Sequence, residues 1–285
     1  LGNRHRTVAA SSPTGPAFEG AEISCGQRAA PGAIERVRID PETLEPKVRV
    51  IGSTLWSDEP GFANSTSTIG VTGVCGSAII EVVAEMFLSG IISEDGVIDG
   101  KLAEKSDRIV QEGRTFSYVL WRGQQEMLIR QTDVRAIQLA KAALYAGIKL
   151  LMDKQGITEV DTISFAGAFG TFIDPKYAMV LGLIPDCDLE HVKAVGNAAG
   201  YGAKMALLNK GYRREIEDTV TKIEKIETAL EPDFQRHFVN AMAMPNKLEP
   251  FPKLAKQVKL PKRQLMADGA IDDGSPRRRG GRARR

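Results

Sequence analysis

Asp161-Thr162-Ile163-Ser164-Phe165-Ala166-Gly167-Ala168-Phe169-Gly170 reads as a strand that runs straight into a glycine turn. Asp161 to Phe165 has the length and composition of a buried strand. The glycines that follow leave no Cβ in the way, so a flat base or a ribose can lie against the backbone. Downstream, Asp174-Pro175 supplies a cap and a proline at the first helical position. Val192 to Val195 is a second short strand, and Gly196-Asn197 leads from it into a helix predicted to reach Asn209. Upstream, Val134, Ile137, Ala140, Leu144, Ile148 and Leu151 fall three or four apart. This spacing predicts a long helix with Thr132 as its cap, Asp133 in its first turn and Gly156 as its stop. Strand–turn–helix units ending on glycine indicate an α/β fold, a mixed sheet with flanking helices.

The same pattern extends outward. Arg6 to Ala10 is a strand candidate ending in Ser11-Ser12-Pro13-Thr14-Gly15-Pro16, a run that demands a loop. Phe18 to Gln27 is expected as a short helix. Residues 34–39 and 47–51 alternate apolar with charged around Asp40-Pro41-Glu42, a hairpin with one wet face. A polar loop spans 52–67. From Val74 the pattern turns helical, with Ile79, Ile80, Val82, Val83, Met86 and Phe87 on a broad apolar face ending near Gly90. Thr115 to Trp121 and Glu126 to Arg130 predict a second hairpin, and Tyr212 to Thr228 and Pro232 to Met242 two late helices. We expect one lobe over 1–245, an extended Pro/Lys-rich segment over 246–264 and a disordered Arg-rich tail over 265–285.

Of the 285 residues, 42% are hydrophobic and 26% charged, the balance of a folded globular chain, which excludes collagen-like and wholly disordered readings. The longest apolar stretches are broken by Gln138, Lys141 and Lys149, so no membrane span is expected. Three dispersed cysteines without a C-x-x-C pair argue against a structural zinc site or a disulfide framework and fit a cytoplasmic protein. The net charge of +2 conceals a tail, Ser275 to Arg285, with six arginines and no acid. The tail has no aromatic residue to stack on bases, so nucleic acid is not expected as a partner.

The sequence has no G-x-x-x-x-G-K-[ST], G-x-S-x-G or H-E-x-x-H motif, and His5, His191 and His237 are scattered. Cys75 stands at the mouth of a helix, where a packed small residue is its expected role. Three glycine turns remain as candidate binding elements. The first contains Gly15 and Glu19 and opens toward free backbone N–H groups that suit an anion. The second contains Gly167, Ala168, Phe169 and Gly170, and the third Gly196 and Asn197. Each alone fits a tight turn or close packing; together and in this order they are more specific.

These residues carry a resemblance. Ser12 to Gly20, Gly73 to Ser77, Gln131 to Val134 with Gln138 to Ala143, Ala166 to Gly170, Leu181 to Asp186 and Gly196 to Gly200 are similar to the C-terminal ATPase-like region of the reductive activators of corrinoid proteins. That family falls within the acetate and sugar kinase/Hsp70/actin superfamily, and the resemblance covers residues 1 to about 262. It implies the second lobe of an actin-like ATPase fold, with ATP and Mg²⁺ as cofactors and a [2Fe–2S] centre in a separate N-terminal region. It also implies a corrinoid protein of a methyltransferase system as partner, a homodimer, and ATP-driven return of Co(II) corrinoid to Co(I). Gly167 to Gly170 would correspond to the adenosine segment, the helix from Gly196 to the second connecting segment, and Glu19 to a helix beside the phosphates. The chain departs from the pattern in lacking both D-x-G-T phosphate segments and the four clustered cysteines. Relatives carry the second D-x-G-T just upstream of the position of Leu1, so this chain is expected to be an N-terminally truncated lobe without ATPase activity of its own. Two other readings are open: a non-catalytic docking module for a corrinoid protein, and a small-molecule kinase of the same superfamily.

Overall fold

The computed structural model describes residues 1–261, so the predicted 265–285 tail lies outside the described residues. In chain order the elements are β1 (Thr7–Ala10), β2 (Ala33–Ile39), β3 (Pro46–Val50), α1 (Phe62–Ser65), β4 (Gly73–Val74), α2 (Gly76–Leu88), β5 (Ile109–Glu112), β6 (Thr115–Trp121), β7 (Met127–Arg130), α3 (Gln131–Gln155), β8 (Ile163–Phe165), α4 (Pro175–Leu181), β9 (Val192–Ala194), α5 (Ala198–Leu208), α6 (Lys210–Val220), β10 (Ile223–Ile226), α7 (Phe234–Asn240) and α8 (Pro252–Gln257). The α/β class is as expected, with the strands in four small sheets: β1 parallel to β10, β3–β2–β4, the antiparallel meander β5–β6–β7, and β8 parallel to β9.

The β2–β3 hairpin forms where the alternation predicts it, with Val37 opposite Val48. Ile34 and Val37, three residues apart, both reach the core because a bulge between Ile34 and Arg36 resets the alternation. The far edge of β2 is closed by α2 rather than by another full strand. Glu81 accepts the Val37 N–H at 2.9 Å and Glu85 accepts the Ile39 N–H at 3.0 Å. The spacing explains the match: four residues of helix rise ~6 Å and two residues of strand ~6.6 Å. Both carboxylates are buried inside an otherwise apolar helix. Arg36 and Arg38 reach Glu81 at 2.8 and 2.7 Å and neutralise it.

α3 is the spine of the molecule. Its N-terminus is fixed by Asp133, whose carboxylate accepts the Arg130 N–H at 2.8 Å and the Ser24 N–H at 3.0 Å. The expected cap at Thr132 is thereby replaced, since the helix already begins at Gln131; Gly156 stops it as predicted. One polar row along α3 holds the irregular segment 242–249. Gln138 donates to the Met242 carbonyl at 2.9 Å, and Lys141 donates to the carbonyls of Ala243 and Pro245. Tyr145 and Lys149 both engage Glu249, at 2.6 and 3.0 Å. Positions 138, 141, 145 and 149 share a helix face, and the carbonyls they meet have no ladder of their own.

Several expectations change. Phe18 to Gln27 is not a helix. Only a 3-10 turn over Ala17–Glu19 forms, because Gly20 takes a left-handed φ of 84° and ends it. Residues 223–226 leave the predicted late helix and pair with β1 instead, where Ile226 joins Val8 and Leu151 in a small apolar cluster. β5 is a strand the sequence reading missed. β8 is only half-buried, because its one strand partner is β9. The segment expected to be extended beyond 245 carries α8, and its Phe251, Leu254 and Val258 enter the core. Asp186 caps α8 by accepting the Lys253 and Leu254 N–H groups. α5 and α6 bury none of their residues. Among the described residues no helix is long and apolar enough to cross a membrane.

Candidate functional site

β8 and β9 run parallel, with Ile163 opposite Val192 and Phe165 opposite Ala194, so their carboxyl ends open on the same side. A crevice beyond the carboxyl ends of parallel strands is the usual ligand position in α/β sheets. Both strands end in a glycine turn here. The Gly167 N–H donates to the Gly196 carbonyl at 2.8 Å, tying one turn to the other. Gly167 has φ 102° and Gly196 φ 69°, values that a residue with a Cβ rarely adopts. Apart from their chain neighbours, neither has an atom within 4 Å of where a Cβ would stand. The backbone is therefore bare on its outer side, a surface on which a planar ring can lie.

The rest of the 167–172 turn is fixed from its inner side. Thr171 donates its N–H and its hydroxyl to the Gly167 carbonyl, at 3.3 and 3.1 Å. The Phe169 ring, exposed on its other side, lies over Gly76 at the start of α2, where a Cβ would stand 2.7 Å from the ring. Gly170 is buried, and a Cβ there would meet Phe165 at 3.2 Å. The Phe172 carbonyl accepts a hydrogen bond from Arg36 Nη1 at 3.0 Å. Ala168 is exposed at the crest of the turn. Asn197 caps α5, its side chain accepting the Gly200 N–H at 2.9 Å.

The first predicted turn meets this site at one point. Phe18 is buried, and its carbonyl lies 2.1 Å from where a Cβ on Gly76 would stand, so the 3-10 turn and Phe169 meet at the α2 N-terminus. Glu19 is exposed on that turn. Gly15 sits elsewhere, on an open groove of about 380 Å³ formed with Thr14, Arg135, Ala136, Leu139 and Phe238. The structure thus brings the glycines at 167, 170 and 196 together with Asn197, sets Glu19 on the turn that meets Phe169 at the start of α2, and leaves Gly15 on the α3 groove. Arg36 and Phe172 were not singled out in the sequence, and Gly76 only as part of the Gly73 to Ser77 string. The legible trace of Arg36 was a charge at a half-buried position of a hairpin.

The donor set suits a base or ribose better than an ion. The turns over 166–170 and 195–200 contain no carboxylate, and Asp174 spends its side chain capping α4 at the Lys176 N–H. They therefore offer no carboxylate ligand to Mg²⁺. Among the described residues no group of three His, Cys, Asp or Glu side chains can hold a metal, so the cysteines do not fit an iron–sulfur cluster either. Burial, reinforced by the neighbouring Asp133 carboxylate, pushes the Cys25 thiol up to about 12. Cys75 is buried with its sulfur 3.4 Å from the Ser77 hydroxyl. His237 is engaged by Asp153 at 2.8 Å, and His191 lies 3.7 Å from Glu190.

Residues 1–255 match the family model described as the C-terminal domain of RACo, the ASKHA domain. The chain is 32% identical over 256 residues to the corrinoid activation enzyme RamQ of Eubacterium limosum, covering 85% of this chain and 40% of that protein. It is similar to the solved reductive activator for corrinoid, iron–sulfur protein with a TM-score of 0.73 and 31% identity, covering 86% of this chain and 38% of that one. The chain spans about two fifths of the length of these relatives. Matched over residues 1–255, the chain belongs to the family of RACo C-terminal domains, the ASKHA domain.

Proposed function

We propose that this chain is the adenosine-holding lobe of an ATP-dependent reductive activator that returns a Co(II) corrinoid protein to the Co(I) state able to accept a methyl group. The observation that carries the reading is the pair of bare, cross-bonded turns at Gly167 and Gly196 beyond the ends of β8 and β9. The bare backbone would receive the base and ribose, and Phe169 and Asn197 would border them. The iron–sulfur centre has no ligand set among the described residues, the glycine turns bring no carboxylate to Mg²⁺, and no step through either is derived for this chain. The corrinoid partner belongs to the same proposal, supported by the names of the relatives; a cytoplasmic location and a homodimer are proposed with it on the family resemblance alone.

Hydrogen exchange of the 285-residue chain with millimolar ADP tests the lobe assignment. Protection over 166–172 and 195–200, with α2 and α3 unchanged, is the expected result. Exchange at those turns that ADP leaves unaltered removes the adenosine assignment. The docking-module reading draws on the lack of carboxylates in the turns. It gains if a Co(II) corrinoid protein binds the chain while ADP does not.

A further inference from the structure

The 167–172 turn hangs outside the core, its residues mostly exposed apart from Gly170. A turn so placed needs anchors if it is to hold one shape for a ligand. At its C-terminal end the anchor is Arg36. One guanidinium nitrogen, Nη1, donates both to the Phe172 carbonyl at 3.0 Å and to Glu81 Oε1 at 2.8 Å. Glu81 is fully buried and accepts the Val37 N–H, so it belongs to the rigid β2–α2 core. The chain of contacts runs from core strand to buried carboxylate to guanidinium to the end of the glycine turn. Meanwhile Phe169, three residues before Phe172, is seated over Gly76 of the same α2.

We infer that Arg36 is a positioning residue for the nucleotide turn: it transmits the fixed geometry of β2 and α2 to the Phe172 carbonyl and so presents Gly167 in its ligand-receiving form. This inference rests on the adenosine reading of the turn. Its contact with the turn is to the backbone carbonyl of Phe172, so it acts through the backbone. Removing it leaves Glu81 still paired with Arg38 at 2.7 Å, so the buried carboxylate keeps a counter-charge and the core keeps its fold.

The test compares Arg36→Ala and Arg36→Lys in the 285-residue chain, first by hydrogen exchange without nucleotide and then by ADP titration. Arg36→Ala should speed exchange over 167–173 by roughly tenfold while α2 amides stay unchanged, because only the local opening becomes easier. ADP binding should weaken by about fivefold or more, since the turn must then be ordered on binding. Arg36→Lys, whose ammonium can donate to both oxygens, should recover most of both effects. Unchanged exchange at 167–173 in Arg36→Ala overturns the inference, and so does faster exchange with unaltered ADP affinity. An unsubstituted chain that shows no ADP saturation removes the adenosine reading and the inference with it, an outcome separated from the former by the nucleotide-free exchange. If Arg36→Ala fails to fold by circular dichroism, Arg36→Gln is judged by the same two readouts.

Discussion

Lys141 is wholly buried on α3 and no acid pairs with it among the described residues; its partners are the carbonyls of Ala243 and Pro245. A neutral amine has two N–H groups and these two carbonyls take both, so the site suits the uncharged form. Burial holds its pKa well below the ordinary 10.5. The sign of the consequence follows from proton counting. The unfolded chain keeps the proton up to about 10.5, whereas the folded chain gives it up at lower pH. Over that interval the unfolded state binds more protons, so stability climbs as pH rises. At full effect the slope is about 1.4 kcal/mol per pH unit for one proton. Urea unfolding of Lys141→Met should lose this climb over the pH range just below the ordinary lysine value of 10.5. The same variant should also be less stable at the upper end of that range, because two buried carbonyls lose their donor. If the substituted chain shows the same pH slope as the original, the buried lysine is not its source.

At the scale of elements, α2 and β2 show what the sequence disclosed and what it withheld. The apolar face of α2, the alternation of the first hairpin and the glycine turns after residues 165 and 195 were legible because they depend on local periodicity and on backbone conformations that favour glycine. The carboxylates of Glu81 and Glu85 gave a signal too, two acids four apart in an apolar helix, but their partners lie on a strand some 45 residues earlier. Position 226 shows the opposite difficulty. Ile223 and Ile226 are spaced three apart as in a helix, and the free edge of β1 decides for a strand. Gly15 and Glu19 show the limit of motif reading, since order in the chain did not reveal that one faces α3 and the other lies near α2. The edge-closing role of α2 makes a graded prediction. Glu81→Ala orphans the Val37 N–H and deprives Arg36 and Arg38 of their shared acceptor, and should cost on the order of 3 kcal/mol in urea unfolding. Glu81→Gln keeps an acceptor for Val37 and should cost about half as much. A loss under about 0.5 kcal/mol for Glu81→Ala would place these contacts among exposed ion pairs of little consequence.

Across the whole molecule, order is concentrated around α2, α3, α4 and the segment docked along α3, while α5 and α6 bury no residue and present Leu207, Leu208 and Val220 to solvent. Opening free energies follow burial, so amides of α5 and α6 should exchange first and those of α2 and α3 last; a reversed order would contradict this core. The same distribution bears on catalysis. Hydrolysis of ATP needs a metal bridging the phosphates, a carboxylate to place metal or water, and fixed donors for the developing charge. The paired turns supply none of these beyond backbone for a base or ribose. Asp133 is engaged by the N–H groups of Arg130 and Ser24, and Asp174 by that of Lys176. Asp161 precedes β8 at its far end, away from the glycine turns. No aspartate of the chain lies in a D-x-G-T turn, the arrangement that sets a carboxylate and backbone amides on one phosphate. Loss of a single preorganised donor costs on the order of 10²–10³ in rate, and this sequence contains no D-x-G-T segment to supply such donors. The 285-residue chain should therefore release phosphate from ATP no faster than a heat-inactivated sample, whether or not Mg²⁺ is present, while still binding ADP through the base and ribose. Mg²⁺-dependent turnover above that control, abolished by Asp174→Asn with the fold retained, would mean that a hydrolytic site is assembled around the α4 cap.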